Sequence, residues 1–454
     1  MDIIKFGIEK ILYPLMEAKR GNHVRANTKV LLASERLSLH DLKSLREERL
    51  RRLLLHCVEH VPAYRQYKEL VPQIVTDPFT ALTNFPVLTK DAFRMDPESF
   101  IADDADRSTL IANNSGGSSG HPVQFYMNRH TVEYYEAARW RGLSWYGITP
   151  GSRSLLIWGN PFELDKMAER RYRLTERYLK NRRIIPAYAL DPAAMPEHVR
   201  LFNSYRPEYI YGYAGAIALF ARLMKEQGLQ LKHRLKAVVS TSETLQPWQR
   251  ELMEEVFQAP VVNEYGARDG GIIAYQCPEG GMHLSAENLV AEVIDLLTGE
   301  LLPAGERGLL LVTDLNNFVQ PRLRYQLGDE VIMSDQLCSC GRTLPLLAEV
   351  CGREDDIFVT ADGQFVHGVA FANCIKRLPE VDAFQIIQLS QTEAKVLLVT
   401  RDGLEPPGLD GVKADYQALL PGAKITYQLV DAIPPSPSGK TRYAIRQFPL
   451  ENTR

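Results

Sequence analysis

Apolar residues recur at helical spacing in the first seventy positions. Residues 36–70 read RLSLHDLKSLREERLRRLLLHCVEHVPAYRQYKEL, with arginines on one side of the predicted helix. The opposite side is apolar and is formed by Leu50, Leu53, Leu54, Cys57 and Val58. This pattern predicts an amphipathic helix, and Pro62 predicts its end because proline has no backbone N–H and cannot continue a helix.

The first twenty residues, MDIIKFGIEKILYPLMEAKR, also show helical spacing. Their apolar positions are Ile4, Ile8, Ile11 and Leu15. We expect this helix to pack on its own domain, and attachment to a membrane surface is the alternative. The segment lacks the basic head, apolar run and cleavage site of a signal peptide.

From about residue 108 to 350, short β-rich runs alternate with longer helical ones. The β-rich runs are SLLIWG, RIIPAYA, YIYGYA, LKAVVSTSE and PVVNEYG. The helical segments between them are 162–182, 192–204, 216–228 and 247–257. Strands separated by helices predict an α/β fold with crossover connections. A strand-rich block follows, LVAEVIDLLTGELLPAGERGLLLVTDLNN, with TGE and AGERG as turns.

The last hundred residues change in character after Gly352. They predict strands at 357–359, 382–389, 395–400 and 424–430 and helices at 369–377 and 411–419. We therefore predict an α/β protein with a large, multi-subdomain N-terminal part of mixed sheets, residues 1–354, and a small mobile α+β lid, residues 355–454. The large part has a helical start, 1–70, and a strand-rich block at about 277–351. Such a pair of domains favours a ligand held between them and closure during turnover.

Composition and charge narrow the class of protein. The 454 residues are 45% hydrophobic and 24% charged, with a formal net charge of −3. A chain of this length predicts more than one globular domain, and its charge gives no electrostatic reason to expect nucleic acid. No apolar stretch reaches the roughly 18 residues of a membrane span, so we expect a cytoplasmic protein without a transmembrane segment. The sequence does not decide between a monomer and a homodimer.

A loop of small residues provides the first candidate site. Three serines and three glycines occupy six consecutive positions, namely Ser115, Gly116, Gly117, Ser118, Ser119 and Gly120. Glycines let backbone N–H groups approach a ligand and serine hydroxyls add donors, which suits phosphate. The runs STLIA and VQFYM predict a strand on each side. The loop differs from a Walker A motif because His121 and Pro122 replace its Lys-Ser/Thr ending. A flexible surface hairpin is the alternative.

Four further segments fit a nucleotide site when they are taken together. STSETL offers Ser242 and Glu243 after a strand, and NEYGARDGG places two carboxylates, Glu264 and Asp269, at another strand end. Carboxylates with phosphate oxygens suit Mg²⁺. In RYQLGDE, Asp329 can accept both ribose hydroxyls, and in PSPSGKTR Lys440 can bring a positive charge to a phosphate.

Each segment also has a purely structural interpretation. Thr244 would cap the helix that starts near Pro247. Asp329 would stabilise a turn. Lys440 would be a solvated loop lysine. The order of the motifs along the chain favours function over these alternatives.

That order resembles the adenylate-forming enzymes, and within them the phenylacetate-CoA ligase branch with its capsular-polysaccharide (CapK-like) relatives. The motifs, in order, are NSGGSSGHP, SET, EYGARDGG, RLRYQLGD, GREDD and PSGKTR. The resemblance covers most of the chain, from HVPAYRQY to GKTR. It implies a large adenylation domain and a small domain that rotates about a hinge at Asp355 and Asp356.

The resemblance also implies roles for individual residues. Ser115, Ser118 and Ser119, with the loop glycines, would hold the β- and γ-phosphates of ATP. The segment Tyr265, Gly266 and Ala267 would line the adenine and acyl pocket beside Ser242 and Glu243. Asp269 would bind Mg²⁺, Asp329 would hold the ribose with help from Arg353, and Lys440 would bridge the substrate carboxylate and the α-phosphate.

The chain departs from the family pattern at two places. His121 replaces a lysine common among relatives, which predicts a weaker γ-phosphate contact. Arg268 and Asp269 replace the usual Thr-Glu pair, so the acid is one methylene shorter, and Glu264 is a candidate to share the metal.

Cysteines and one histidine form a candidate metal site. CPEGGMH contains Cys277 and His283, and CSCGR contains Cys338 and Cys340. Three thiolates and one imidazole suit a closed tetrahedral Zn²⁺ site, which would stabilise the strand-rich block. Some members of the resembling branch carry zinc at matching positions. Buried free thiols are the alternative.

These inferences predict an ATP-dependent ligase that activates a small carboxylic acid as an acyl-adenylate and transfers it to a thiol, with coenzyme A as the expected acceptor. Aromatic residues in 211–216 favour an aryl acid. A carrier-protein pantetheine, an amine or a sugar is an alternative acceptor. A nucleotide-binding regulatory protein with reduced catalysis is the alternative from another class.

Overall fold

The computed structural model has a mixed α/β architecture with one large sheet and a separate small sheet near the C-terminus. It describes residues 3–114, 123–158, 172, 174–187, 190–353, 357–375, 377–378, 380–433 and 443–448. The predicted fold class is confirmed by this arrangement.

The helices of the described residues include the long amphipathic one predicted from the sequence. The α-helices run over Ile3–Gly7, Tyr13–Arg20, Val24–Ser34, Leu39–His60, Val71–Thr76, Pro78–Leu82, Lys90–Met95, Arg129–Ser144, Met195–Tyr205, Ala214–Glu226, Pro247–Phe257, Gly368–Ile375 and Leu409–Leu419. Ser38 caps the helix Leu39–His60 by accepting the backbone N–H of Asp41. Its apolar face is fully buried, and a 3₁₀ segment, Pro62–Leu70, replaces the helix at the proline.

Strands β1 (Ile111–Asn114) and β2 (Gln124–Met127) form a separate two-stranded sheet. The large sheet contains eleven strands among the described residues. Its strands in chain order are β3 (Ser154–Trp158), β4 (Arg182–Pro186), β5 (Tyr209–Tyr213), β6 (Ala237–Thr241), β7 (Val261–Ala267), β8 (Gly271–Gln276), β9 (Met282–Leu284), β10 (Leu289–Ile294), β11 (Arg307–Asp314), β12 (Tyr325–Ser334) and β13 (Leu346–Arg353). Their spatial order is β10-β11-β12-β13-β9-β8-β7-β6-β5-β3-β4. Strands β4, β3, β5, β6 and β7 pair in parallel. In the spatial order, every pair from β7 to the far edge of the sheet at β10 is antiparallel.

The parallel part is buried between helices. All five residues of β6 are buried, as are four of the five residues of β3. Burial at nearly every position is typical of parallel strands that are covered on both faces. The predicted alternation of strands and helices is confirmed from β3 to β7, although 159–171 and 173 lie outside the described residues.

The N-terminal helical segment packs on the parallel sheet by a small contact. Ile8 is buried, and Lys5 donates to the Glu208 carboxylate at 2.8 Å. Three of the four apolar positions singled out in the sequence, Ile4, Ile11 and Leu15, are exposed. None of the helices described in the structure is both long and apolar enough to cross a membrane.

The C-terminal part builds a sheet of its own. A hairpin joins β14 (Ile357–Val359) and β15 (Phe365–His367). The four-stranded sheet has the order β18-β17-β16-β19, formed by β16 (Val381–Ser390), β17 (Glu393–Thr400), β18 (Lys424–Leu429) and β19 (Ala444–Arg446). The predicted order of four strands and two helices is confirmed, and β15 and β19 are further strands that were not predicted. The boundary between residues 354 and 355 stays a prediction.

Candidate functional site

The carboxyl ends of the parallel strands bring several candidate residues to one edge of the sheet. Trp158 ends β3, Tyr213 ends β5, and Thr241 ends β6. Trp158 lies over Tyr213 with ring centroids 4.3 Å apart. Ligands of α/β proteins bind outside this edge, where loops leave the strands.

The predicted phosphate loop connects two paired strands. Strand β1 (Ile111–Asn114) pairs with β2 (Gln124–Met127) in antiparallel register, so the flanking strands predicted from STLIA and VQFYM are present. The six loop residues Ser115–Gly120, with His121 and Pro122, lie outside the described residues. Their phosphate role stays a prediction.

The SET segment directly follows β6, and its first residue has an unusual backbone conformation. Ser242 has a φ of 68°, in the left-handed region that side chains other than glycine seldom adopt. Glu243 turns back to accept the backbone N–H of Gly215 at 2.7 Å. The helix Pro247–Phe257 is capped by Gln246 rather than by Thr244, because Gln246 and Gln249 form a capping box. The structural interpretation of Thr244 is therefore wrong.

Two predicted site residues donate hydrogen bonds to the carboxylate of a third, Asp329. Tyr265 donates to Asp329 Oδ2 at 2.8 Å, and Arg353 Nη1 donates to Asp329 Oδ1 at 3.0 Å. Asp329 and Arg353 are register partners on the neighbouring strands β12 and β13. Burial, and then the Asp329 charge, raise the pKa of Tyr265 well above its usual value, so the phenol stays protonated as a donor. Asp329 therefore accepts from donors on two different segments of the chain.

Asp269 lies in the turn between β7 and β8 and is buried. Its Oδ2 accepts from the Tyr325 hydroxyl at 3.1 Å, and its backbone carbonyl accepts from Arg322 Nη2 at 2.9 Å. Gly266 is required before this turn, since a Cβ there would lie 2.6 Å from the carbonyl oxygen of Gly271.

The β7–β8 hairpin fixes the register of the remaining EYGA residues. Gly266 pairs with Ile272, and Ala267 pairs with Gly271, the residue that starts β8. Tyr265 and Asp269 are thereby held at the two ends of one short backbone segment.

Glu264 belongs to a different cluster. Its Oε1 accepts from Tyr211 at 2.5 Å and from Thr241 at 3.1 Å, and its Oε2 lies 3.5 Å from Arg139 Nε. Successive residues of a strand point to opposite faces, which separates Glu264 from Tyr265. The contacts of Glu264 therefore tie together β5, β6, β7 and a helix, whereas Asp269 contacts the first residue of β12 and the loop before it.

Two residues near the site were not predicted. Lys90 donates to the carbonyl of Leu327, two residues before Asp329, at 2.6 Å. Arg139 lies over the Tyr211 ring at 5.7 Å. Lys90 is distant in sequence from every motif, and nothing around it in the sequence marks it. The helix of Arg139 directly follows the hairpin of the predicted phosphate loop, and this position in the sequence is the one feature that could have indicated Arg139 as a site residue.

The four predicted zinc ligands come together in the strand-rich block. Their ligand atoms all lie within 4.8 Å of one another. Cys277 Sγ and Cys338 Sγ are 3.6 Å apart, and His283 Nε2 and Cys340 Sγ are 3.2 Å apart. A tetrahedral zinc ion would separate two thiolates by about 3.8 Å and a thiolate and an imidazole by about 3.6 Å, from the usual bond lengths. The residues present therefore fit this ion closely.

The surroundings of the cluster shift the pKa values of its ligands in both directions. His283 Nδ1 lies 3.3 Å from the carbonyl of Leu344, an arrangement that leaves Nε2 as the ligand atom. Burial lowers the pKa of His283 to about 4 and raises the pKa of Cys277 to about 12. For Cys340, hydrogen bonds from Arg342 outweigh burial and lower the pKa. The imidazole is thus neutral at physiological pH, as a metal ligand must be.

The C-terminal part contacts the sheet edge beside the SET segment. Gln249 donates to the Tyr443 hydroxyl at 3.3 Å, and a Cβ added at Gly215 would lie 3.7 Å from the same oxygen. Lys440, Asp355 and Asp356 lie outside the described residues, so their roles stay predictions.

Sequence comparisons confirm the resemblance. Residues 358–447 match the CapK C-terminal domain. Protein CapK of Staphylococcus aureus is 24% identical over 374 residues, covering 81% of this chain and 80% of the relative. Phenylacetate-coenzyme A ligase of Thermus thermophilus is 26% identical over 386 residues, covering 80% and 82%.

Solved structures show the fold. 2-Hydroxyisobutyryl-CoA ligase in the postadenylation state with 2-HIB-AMP gives a TM-score of 0.71 at 19% identity, covering 91% of both chains. The same ligase in the thioesterification state gives 0.55 at 18% identity, with the same coverage. The fold is that of the adenylate-forming ligases, and the score is higher for the postadenylation arrangement.

Proposed function

We propose that this protein is an AMP-forming ligase that activates a carboxylic acid with ATP and passes the acyl group to a thiol. One observation carries the proposal: the carboxylate of Asp329 accepts hydrogen bonds from Tyr265 and Arg353. The three residues come from three separate motifs of the family pattern. Tyr265 lies at the strand edge where α/β proteins bind ligands. The relatives named above are coenzyme A ligases and CapK, which supports the same reaction class.

In the first step a substrate carboxylate oxygen attacks the α-phosphorus of ATP, and the bond to pyrophosphate breaks. Asp329 holds the ribose hydroxyls as an acceptor, while Arg353 and Tyr265 keep its two oxygens in place. The loop Ser115–Gly120 and Lys440 stabilise the negative charge that shifts onto the phosphates. The products are an acyl-adenylate and pyrophosphate.

Asp269 is the residue that would hold Mg²⁺ in this reaction. Its carboxylate is buried, and Tyr325 is the hydroxyl donor that orients it. The ion supplies charge neutralisation for the ATP phosphates. Glu264 is a candidate to share it: Oε1 accepts from Tyr211 and Thr241, whereas Oε2 is buried without a hydrogen bond from any described residue and lies 3.5 Å from Arg139 Nε.

In the second step a thiol attacks the acyl carbon, AMP leaves, and the thiol proton passes to solvent. Coenzyme A is the proposed acceptor. The pair Trp158 and Tyr213 supports an aryl acid, since two aromatic rings lie together at the strand edge where the acyl group is expected. A carrier-protein pantetheine, an amine or a sugar would use the same first step.

We further propose that Cys277, His283, Cys338 and Cys340 hold a structural Zn²⁺. The ion would join the turn before β9 to the loop between β12 and β13. Metal analysis of the purified protein tests this directly, with about one zinc per chain expected. Protein that contains no zinc and takes up none would leave buried thiols as the correct interpretation.

The reaction is tested by pyrophosphate release with ATP, Mg²⁺ and a panel of aryl, fatty and amino acids, with and without coenzyme A. Release that depends on one acid would establish adenylation and identify the substrate class. A thioester product would identify coenzyme A as the acceptor. ATP binding with no release across the panel would favour the nucleotide-binding regulatory protein.

Lys440→Ala separates the two steps. Adenylation should slow by roughly 10² to 10³, the usual cost of one positioned donor. Thioester formation from a preformed adenylate should be unchanged. Lys424→Ala, at an exposed position of β18, is the control. Equal pyrophosphate exchange in Lys440→Ala and the parent would remove Lys440 from the mechanism.

A further inference from the structure

A second group of potential metal ligands lies far along the chain from the cysteine cluster. His56 and His60 are one turn apart at the end of the helix Leu39–His60, and Asp104 lies on the loop that passes beside it. Residues four apart on a helix project from the same face. Three ligand-bearing side chains thus converge from two segments of the chain.

The distances allow one ion to contact all three side chains. His56 Nδ1 and His60 Nδ1 each lie 3.9 Å from Asp104 Oδ2, and the ligand atoms all lie within 4.8 Å of one another. A tetrahedral site with the usual Zn–N and Zn–O lengths separates nitrogen and oxygen by about 3.4 Å. A small rotation of Asp104, whose side chain is half exposed, reaches that distance.

A hydrogen bond on the far side of His56 fixes its tautomer. His56 Nε2 lies 2.8 Å from the carbonyl oxygen of Phe318 and must donate to it, because a carbonyl can only accept. The lone pair is therefore on Nδ1, the atom that faces Asp104. A ligating histidine that donates its other N–H to a backbone carbonyl is the common arrangement in metal sites.

The backbone holds the loop of Asp104 in place. The N–H of Asp103 donates to the carbonyl of His60 at 2.9 Å, and the N–H of Ala102 donates to the carbonyl of Val319 at 3.0 Å. The helix end, this loop and the segment of Phe318 are therefore already joined. Little conformational entropy remains to be lost when an ion binds.

We propose that His56, His60 and Asp104 form a second metal site, for a divalent late transition ion such as Zn²⁺ or Co²⁺. Two imidazoles and one carboxylate suit these ions better than Mg²⁺ or Ca²⁺, which prefer oxygen ligands alone. Three protein ligands leave the remaining positions to water. The partial exposure of His60 and Asp104 gives an ion direct access from solvent.

The charges around the group are mixed. Glu59 lies 3.7 Å from His60 Nε2, and Arg65 forms an ion pair with Asp103. Glu59 adds to the negative potential that attracts a cation, whereas Arg65 neutralises Asp103. The carboxylates of Asp104 and Glu59 therefore provide most of the attraction at the site.

Titration with Co²⁺ by calorimetry and absorption tests the proposal in the full-length protein. We expect one ion that binds without a sulfur-to-cobalt charge-transfer band, which distinguishes it from an ion at the cysteine cluster. His60→Ala and Asp104→Asn should each weaken this binding by more than about 10-fold, the lower range for loss of even an outer partner. Asp104→Asn keeps the size of the side chain and removes its charge.

His40→Ala is the matched control, because His40 is exposed on the same helix. It should bind Co²⁺ like the parent. Unfolding midpoints without metal should be unchanged in all three variants, and the midpoint increase caused by Co²⁺ should be lost only in His60→Ala and Asp104→Asn. Parent protein with no sulfur-free cobalt site, or one that both variants retain, would overturn the proposal.

Discussion

Asp329 is the residue on which the proposed nucleotide site depends most. A carboxylate that accepts charge-assisted hydrogen bonds contributes roughly 1.5–3 kcal/mol for each bond. Asp329→Asn replaces one acceptor oxygen by a donor that faces Arg353. We therefore expect kcat/KM for ATP to fall about 100-fold in the pyrophosphate assay.

2′,3′-Dideoxy-ATP makes this test specific to the ribose. The parent enzyme should use the dideoxy nucleotide much less well than ATP, and Asp329→Asn should use the two nearly equally. Asp335→Asn, at an exposed position after β12, is the control and should behave like the parent. If Asp329→Asn still discriminated fully against the dideoxy nucleotide, Asp329 would not be the ribose acceptor.

Gly281 is a sensitive position for the proposed zinc site. A Cβ at this position would lie 2.6 Å from Cys338 Sγ, too close for any real contact. We expect Gly281→Ala to displace the thiolate and to lower zinc affinity about 10- to 100-fold in a competition assay with a chelator. Gly411→Ala is the control, since a Cβ at Gly411 has no neighbour within 4 Å. Unchanged zinc retention in Gly281→Ala would argue against Cys338 as a ligand.

For individual site residues, the sequence predicts those that belong to motifs and misses those that do not. Tyr265, Asp329 and Arg353 were found because each stands in a short motif, and the order of the motifs supplied the evidence. Lys90 reaches the same site through a backbone contact made across 237 residues of sequence. No local pattern encodes such a contact, because it depends on how the helix Lys90–Met95 packs against β12.

Among the elements, the helix Arg129–Ser144 shows the limit of hydrophobic patterning. It was not predicted, because several of its buried positions are polar. Arg141 is buried and pairs with Glu287 at 2.7 Å, and Thr131 donates to the carbonyl of Asn316. A search for an apolar stripe fails on a helix whose core contacts are ion pairs and hydrogen bonds. The helix Pro247–Phe257, with its apolar face and its proline start, was predicted with the correct bounds.

The N-terminal helical segment contacts a charged residue directly before β5. Glu208 accepts from Lys5 at 2.8 Å and lies 2.7 Å from Lys236. Burial alone would raise the pKa of the Glu208 carboxyl, but hydrogen bonds from the two lysines outweigh it and the pKa lies below its usual value of 4.5. The unfolded chain therefore binds this proton at higher pH than the folded protein, so the stabilisation is present above pH 4.5 and is lost as the pH falls.

Glu208→Gln should consequently weaken the docking of the segment Ile3–Gly7 by about 1 kcal/mol at neutral pH. Faster amide hydrogen exchange in the adjoining helix Tyr13–Arg20 would report the change. The difference from the parent should disappear at a pH below the folded pKa of Glu208. Glu306→Gln, on an exposed turn, should show no difference at either pH. A variant difference that persisted in acid would mean that charge is not its cause.

For the whole molecule, charged residues connect the N-terminal part with the C-terminal part in this structure. Arg222, on the helix Ala214–Glu226, pairs with Asp382 of β16 at 3.2 Å. Arg401 lies 3.6 Å from the same carboxylate and 3.5 Å from Glu226. The sequence predicted both parts but could not predict these contacts, because their partners are surface residues with no distinguishing pattern. On the proposed two-step reaction, we predict that this group of charges favours the arrangement that serves adenylation.

A double-mutant cycle tests that inference, using Arg222→Gln, Asp382→Asn and their combination. Partly exposed ion pairs contribute up to about 1 kcal/mol, so each single variant should slow pyrophosphate release up to about 5-fold. The double variant should be no slower than either single one, since both remove the same contact. Thioester formation from a preformed adenylate should be unchanged or faster, because the resemblance implies that the C-terminal part rotates away from this arrangement before that step. Asp415→Asn breaks an ion pair with Arg377 inside the C-terminal part and should leave both rates unchanged. Additive losses in the cycle, or an equal slowing of both steps, would show that these charges do not favour one arrangement over the other.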